Sequence, residues 1–440
     1  MSFDELKKQA SVPDAEDNLA AFEKHMTCDW QQDSAQNLAR IFFHSRFLSR
    51  FLLNHPQSAK TILENKDIQK EFSPSEYLNS ANAFLQQSPD WKQNLRLFKY
   101  TQLLRLTILE IIGTNSIQVY RELSTLAQTI CQLCFEKICS QVLEHVGENK
   151  LPCESAILAM GKLGGFELNY SSDIDLIGFY QNEGSLKNTN HHEFFVKLFL
   201  EFGKELNRRD PIGFLYRADW DLRPEGIGGT LANSFVAMET YYESFGEEWE
   251  RQAYIKARPL IETKNIGSQF LETLTPFVYR KSFDEKTIKN IWAMKSRIQK
   301  ENAARSSKAI NIKLDAGGIR DIEFFVQGFQ LLYGGQYLDL RSTNTLIALN
   351  TLSIKKLISK SEQEQLQTAY LFLRRLESMI QMEEEAQRHS VSEEASHQLA
   401  LAKRMGFTGS RDEIISKLNE ALLLTRTQAR QIFEKYFKQE

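Results

Sequence analysis

The chain has 440 residues, of which 42% are hydrophobic and 25% charged, and its formal net charge is -3. That length holds two or three domains with a sizeable core. The near-neutral balance lacks the basic stripe of a nucleic-acid binder, and no window approaches the roughly eighteen apolar residues of a membrane span.

The first ten residues, MSFDELKKQA, contain no apolar segment of the kind that opens a secretory signal, so the expected location is the cytoplasm. Glycine and proline are sparse, at 21 and 9, so helices should dominate. Residues 1–150 read as a helical region. From Ser34 to Asn54 the apolar positions 38, 41, 42, 43, 47, 48, 51, 52 and 53 predict one helix with a broad buried face. Ser73-Pro74-Ser75-Glu76 is a helix start, with a cap, a proline at the first position and a glutamate at the third. Asp90 to Ile112 predicts a long helix stopped by Gly113, and Asn115 or Ser116 opens another that runs to about Val146. Arg96, Lys99 and Arg105 are expected on a solvated face rather than against an anion. Five cysteines make an odd set: Cys28, Cys131, Cys134, Cys139 and Cys153. Cys131, Cys134 and Cys139 share helical spacing with Ala127, Ile130 and Ile138, and no histidine completes a ligand set. Buried thiols are therefore expected, not zinc.

From Leu151 the pattern changes to strands, and residues 151–300 read as the catalytic region. Ala156 to Met160 is a short buried strand, broken by the turn Gly161-Lys162-Leu163-Gly164-Gly165. Ser171-Ser172 then precede Asp173-Ile174-Asp175, and Leu176 to Tyr180 continue as strand. Residues two apart share a strand face, so Asp173 and Asp175 project together. Two crowded carboxylates repel unless a cation separates them, and hard oxygen ligands of this kind suit Mg²⁺. A bare pair of this sort is more often a solvated strand end. Here the glycine turn, the serine hydroxyls and a third acidic strand favour metal-dependent nucleotidyl transfer, with a two-metal site.

His191-His192-Glu193 reads as a polar surface loop, and Glu193 to Leu206 as an amphipathic helix. Gly213 to Pro224 predicts a strand on which Asp219 and Asp221 share one face. Asp219, between Ala218 and Trp220, is favoured as the third carboxylate over the alternative Asp221, which could equally be held in an ion pair with Arg223. Gly226 to Thr230 is a glycine-rich loop whose backbone N–H groups suit phosphate. Phe235 to Lys256 predicts a helix, and Lys256 and Arg258 then carry two cations toward the site. Residues 301–440 read as a helical bundle. Its exception is the glycine turn within Lys313 to Phe325, which places Arg320, Asp321 and Glu323 in the first turns of a helix, a setting suited to an anion. Glu362 to Glu384 packs through Leu366, Ala369, Leu373, Leu376 and Ile380, and Glu383-Glu384-Glu385 are expected to solvate its exposed end.

The stretch Met160 to Ile177 (MGKLGGFELNYSSDIDLI) resembles the N-terminal half of the bifunctional glutamine synthetase adenylyltransferase/adenylyl-removing enzymes. Arg217 to Pro224 (RADWDLRP), Trp249 to Arg258 (WERQAYIKAR), Ala316 to Gln327 (AGGIRDIEFFVQ) and Ala369 to Glu377 (AYLFLRRLE) agree. The resemblance covers roughly residues 90–435. It implies an α+β, mostly helical fold: a polymerase-beta-like nucleotidyltransferase core, a small mixed sheet with helices, flanked by helical domains. The SSDID motif resembles the removing half rather than the GSDLD-type adenylylating half, which the chain would then lack. The implied activity is phosphorolysis of the AMP–tyrosine bond on glutamine synthetase, consuming orthophosphate and releasing ADP, under control of the PII signal protein. The competing readings are adenylylation with ATP and a non-catalytic nucleotide- or PII-binding module.

Carried over residue by residue, the resemblance implies that Asp173, Asp175 and Asp219 are catalytic and hold Mg²⁺. The phosphate and nucleotide set is Gly161, Lys162, Gly164, Ser171, Ser172, Arg223, Lys256, Arg258, Arg320 and Glu323. Arg320, Lys256 or Arg258 would supply a cation to the leaving phenolate.

Overall fold

The computed structural model describes residues 7–438, apart from 13, 26–31, 64–67, 114, 281–291, 294, 298–299 and 301–308. Cys28 falls outside the described residues. The first part carries helices α1 (Ala15–His25), α2 (Gln32–His44), α3 (Arg46–Asn54), α4 (Pro74–Leu85), α5 (Trp91–Ile112) and α6 (Ser116–Val146). The middle holds strands β1 (Ser155–Ala159), β2 (Ile174–Tyr180), β3 (Ala218–Asp219), β4 (Ala232–Ser234) and β5 (Arg258–Glu262). Helices α7 (His191–Asn207), α8 (Phe235–Ser244), α9 (Glu248–Tyr254) and α10 (Ile266–Val278) lie among them. The last part has β6 (Ile310–Asn311), α11 (Ile319–Tyr333), α12 (Thr345–Ile354), α13 (Lys360–Gln381), β7 (Ser390–Val391), α14 (Ala395–Arg404) and α15 (Arg411–Phe437). No described helix is long and apolar enough to cross a membrane. The architecture is the expected α+β one, mostly helical around a small mixed sheet.

Caps set most helix limits. Ser73 and Glu76 form the capping box of α4, Asp90 caps α5, Gly113 ends it in the left-handed region, and Asn115 opens α6. The single helix predicted across Ser34–Asn54 is two, because Ser45 is buried and works as a cap. Its Oγ accepts the Leu48 N–H and donates to the Met382 carbonyl. Phe235–Lys256 is likewise split into α8 and α9, the second opened by a Glu247–Glu250 capping box. Cys131, Cys134 and Cys139 are free and buried on α6, as their spacing requires.

The solvated faces expected of two charge clusters do not exist. Arg96 and Arg105 are 0% exposed. Arg96 pairs with Glu205 at 3.1 Å and Asp210 at 3.2 Å, Lys99 with Glu385 at 2.7 Å, and Arg105 with Glu122. The cause is that α5 is packed by α2, α4, α6 and α13, so it has no free side. Glu383, Glu384 and Glu385, expected in solvent, are also engaged. Glu383 pairs with Arg404, Glu384 with Arg46 and Arg50, and Glu385 with Lys99 and the Tyr100 hydroxyl. This segment therefore ties the end of α13 to the first helical region.

The sheet runs β3-β2-β1-β5, with β4 also on β2. Strands β1 and β2 are antiparallel from Ser155↔Tyr180 to Ala159↔Leu176, and β1 is wholly buried, as its uninterrupted apolar run predicts. Strand β3 is parallel to β2 with Ile174↔Ala218 and Asp175↔Asp219. Only two residues of the strand predicted over Gly213–Pro224 pair in this way. The Phe214 and Tyr216 backbone groups are taken by Tyr100, Lys99 and Leu206 instead. His191 and His192 begin α7 rather than precede it, since Asn190 is the cap. Their rings bond Asn182 and Tyr180.

A second, two-stranded ladder was not expected in the last region. It pairs Ile310↔Val391 and Asn311↔Ser390, continues with the Ile312 N–H on the His389 carbonyl, and joins α11 through the Arg320 N–H on the Lys313 carbonyl. Lys313, Arg320 and His389 are thereby brought together.

Candidate active site

The parallel register of β2 and β3 sets Asp175 beside Asp219, and Asp173 stands at the entry to β2. Asp175 is half-buried, and its carboxyl is pushed up to about 6 by burial, then by Asp219 and Asp173. A buried carboxyl whose proton affinity is raised by two neighbouring carboxylates is the electrostatic mark of a site short of positive charge. Asp173 is held on both sides: Arg217 Nε donates to Oδ1 at 2.6 Å and Gln387 Nε2 to Oδ2 at 2.6 Å. Asp219 accepts the Asp221 N–H at 2.8 Å. Asp221 itself is exposed in the turn that follows, 3.7 Å from Arg223.

Gly161 lies against this group in the left-handed region, with φ +54°, and a Cβ there would stand 2.5 Å from Asp175 Oδ2. Gly161→Ala is expected to lose about 1–3 kcal/mol of stability, from backbone strain plus the clash. Gly147 has φ +77° and nothing within 4 Å, so Gly147→Ala carries the strain alone. Thermal unfolding of the two variants should show the larger drop for Gly161→Ala.

Asp173 and Asp175 open onto a cavity of about 390 Å³. The resident groups beside them are Gly161, Lys162, Ser172 and Lys256 from the sheet region, and Lys313, Arg320, Glu323 and His389 from the last region. Trp249, Phe324 and Leu222 form apolar walls, with the amides of Gln252 and Gln327 between them, bonded at 2.7 Å. Lys162 donates to both oxygens of Glu377 at 2.9 Å. Burial first, then Arg374 and Lys313, brings its ammonium down to about 8 against the pull of Glu377. Glu377 is fully buried and also meets Asn169, Arg374 and His389. Despite burial, Lys162, His389 and Arg374 hold it well below the usual carboxylate range. Lys256 donates to Glu167 and Thr345 while facing the cavity. The Lys313 and Arg320 side chains make no hydrogen bond or ion pair among the described residues.

Four residues of the expected phosphate set do not meet the cavity. Arg223 gives its guanidinium to the carbonyls of Gly229, Trp220 and Ile227, and so holds the glycine-rich loop together. Arg258 binds the Leu163 carbonyl and Gln128, with its guanidinium over the Phe166 ring. Ser171 is buried, its hydroxyl given to the Glu385 carbonyl and its N–H to Gln381, so only Ser172 presents a hydroxyl. Gly164 serves packing, since a Cβ would overlap the Lys256 carbonyl. Arg217, Trp249, Gln252, Lys313 and Gln327 join the site beyond the expected set, although each lies within one of the motif stretches. Gln387 and His389 carried no sequence signal.

The three aspartates supply hard oxygen donors of the type Mg²⁺ takes, and the raised Asp175 carboxyl is the observation that fits a cation there. Among the described residues, no three His, Cys, Asp or Glu side chains converge closely enough to hold a metal ion. Arg217 and Gln387 each occupy one oxygen of Asp173.

Residues 35–273 match the family model described as glutamate-ammonia ligase adenylyltransferase, and residues 288–437 match that of GlnD PII-uridylyltransferase. Three similar proteins bear the name bifunctional glutamine synthetase adenylyltransferase/adenylyl-removing enzyme. That of Hahella chejuensis is 35% identical over 85% of this chain and 40% of its own length. That of Pasteurella multocida is 38% identical over 70% and 32%, and that of Pseudomonas aeruginosa 33% identical over 86% and 40%. The chain thus spans about a third to two-fifths of the length of these relatives.

Proposed function

The chain belongs to the glutamate-ammonia ligase adenylyltransferase family, and on that premise we propose that it removes AMP from the adenylylated tyrosine of glutamine synthetase by phosphorolysis. An oxygen of hydrogenphosphate attacks the AMP phosphorus, forming the new P–O bond as the P–O bond to tyrosine breaks. ADP leaves, and the proton of hydrogenphosphate ends on the tyrosine oxygen. The observation that carries the reading is one cavity with carboxylates at Asp173 and Asp175 and cations at Lys313 and Arg320 whose side chains make no hydrogen bond or ion pair among the described residues. The SSDID motif at Ser171–Asp175 supports removal over addition.

In this reading Asp173, Asp175 and Asp219 hold Mg²⁺, which when bound neutralises phosphoryl oxygens and the leaving phenolate. Trp249, Phe324 and Leu222 enclose the adenine, and the Gln252–Gln327 amides meet its polar edge. Arg217 and Gln387 position Asp173. Ser172 and Gly161 bring hydroxyl and backbone close to the phosphates. Control by PII in a cytoplasmic setting belongs to the same proposal, supported by the match of residues 288–437.

The test is release of ADP from AMP-modified glutamine synthetase on addition of orthophosphate and Mg²⁺. Asp219→Asn should lower that rate by at least about 10²-fold, whereas Asp221→Asn, altering an exposed turn, should leave it within about threefold. The reverse ranking would move the third carboxylate to Asp221.

A further inference from the structure

We propose that Lys162, Lys313 and Arg320, with Glu323, form a subsite for orthophosphate, the cations binding its charged oxygens and Glu323 accepting the hydrogen bond of its hydroxyl. The inference rests on the phosphorolytic reading and adds where the second substrate sits and how it is distinguished.

Three observations carry it. First, the backbone assembles the cations from separate elements. The Arg320 N–H bonds the Lys313 carbonyl, and Lys162 arrives from the turn after β1. All three side chains line one cavity. Secondly, the cations are available. Lys162 uses two hydrogens on Glu377 and keeps a third, while the Lys313 and Arg320 side chains make no hydrogen bond or ion pair among the described residues, Glu323 being the carboxylate that acts on both. Lys313 lies close enough to lower the proton affinity of both Lys162 and His389, a crowding of positive charge that a dianion would relieve.

Thirdly, Glu323 Oε1 is a buried acceptor with no hydrogen-bond partner among the described residues, 3.8 Å from the Lys256 ammonium. Buried acceptors left without a donor are uncommon. Although burial raises its proton affinity, Lys256, Lys162 and their neighbours hold this carboxyl below its usual range, so it stays an acceptor at neutral pH. Hydrogenphosphate carries one hydroxyl and can donate to it. Sulfate carries none and would set an unshielded oxygen against a carboxylate. A free oxyanion and the terminal phosphates of ATP share the same cation chemistry, and only the free dianion and its hydroxyl fit the acceptor in this proposal.

The experiment is calorimetric binding of inorganic phosphate, sulfate, AMP and ATP to the full chain and to variants whose thermal midpoints match the parent. Phosphate should bind at least tenfold more tightly than sulfate. Lys313→Ala and Arg320→Ala should each weaken phosphate at least tenfold with AMP within twofold, and Lys313→Arg should restore most of the loss. Glu323→Gln, which turns an acceptor into a donor, should bring sulfate within about twofold of phosphate.

Unchanged phosphate binding in both alanine variants would overturn the assignment. So would equal losses of AMP and phosphate, or a loss confined to ATP, which would give the cluster to the nucleotide. If phosphate binding follows the expected pattern while no ADP is formed from the modified protein, the subsite stands and the phosphorolytic reading fails.

Discussion

Asp175→Asn is expected to lower ADP formation by at least about 10³-fold while making the protein more stable at pH 8. The two effects share one cause. Burial and two neighbouring carboxylates raise the Asp175 carboxyl from 3.8 to about 6, so the folded chain opposes the charge that a cation would need. A carboxyl raised on folding leaves stability intact below its unfolded value. Stability then falls as pH rises from about 4 to about 6 and stays low above. The loss at pH 8 is of order 1–3 kcal/mol. Asparagine carries no charge and escapes it. Thermal midpoints of parent and variant should therefore converge near pH 4 and separate toward pH 8, the variant being higher, and Mg²⁺ should narrow the gap. A variant less stable at pH 8, or a gap that ignores pH, would contradict the electrostatic account.

Glu377→Gln is expected to have the opposite sign, with about 3–5 kcal/mol of stability lost at neutral pH. Glu377 is fully buried, receives Lys162 on both oxygens at 2.9 Å, and stands 3.3 Å from Arg374 Nε and 2.9 Å from His389 Nδ1. Glutamine removes the charge and leaves the Lys162 ammonium and Arg374 guanidinium facing each other without a counterion. Because the Glu377 carboxyl is held well below 4.5, its stabilisation is present above that pH and lost as pH falls through the folded value. The midpoint of the variant should lie several degrees below the parent at pH 7, and the gap should close on acidification. A midpoint unchanged at pH 7 would show that Arg374 finds sufficient compensation in Tyr370, Asn169 and the Glu167 carbonyl.

The contrast between these residues reflects what a sequence can carry. Asp173, Asp175 and the strand they open were legible because a two-residue period and a glycine turn are local properties. The caps at Ser73, Asp90 and Asn115 were legible for the same reason. Asp219 was placed on an acidic strand, although the pairing shrank to Ala218–Asp219 once Tyr100 and Lys99 claimed the backbone before it.

What failed depended on partners far along the chain. Arg96 and Lys99 look like surface charges until Glu205 and Glu385 are placed against them, and Glu385 is nearly three hundred residues away from Lys99. Gln387 holds Asp173 across 214 positions. Arg223 and Arg258 have the right charge for phosphate but direct it to backbone carbonyls. Lys313 and Arg320 become neighbours through a ladder too short to show any alternation. A charge in a sequence is legible as a charge; whether it meets solvent, a carboxylate or a ligand is decided by whichever element covers it.

The most direct test of the account is the fate of isotopically labelled orthophosphate. AMP-modified glutamine synthetase, Mg²⁺ and labelled orthophosphate are incubated with the chain, with Asp173→Asn as the parallel variant, and the nucleotide released is identified. ADP bearing the label in its β-phosphate is the expected product, absent with Asp173→Asn. Release of unlabelled AMP, or AMP transfer to unmodified glutamine synthetase from ATP in place of removal, would contradict it.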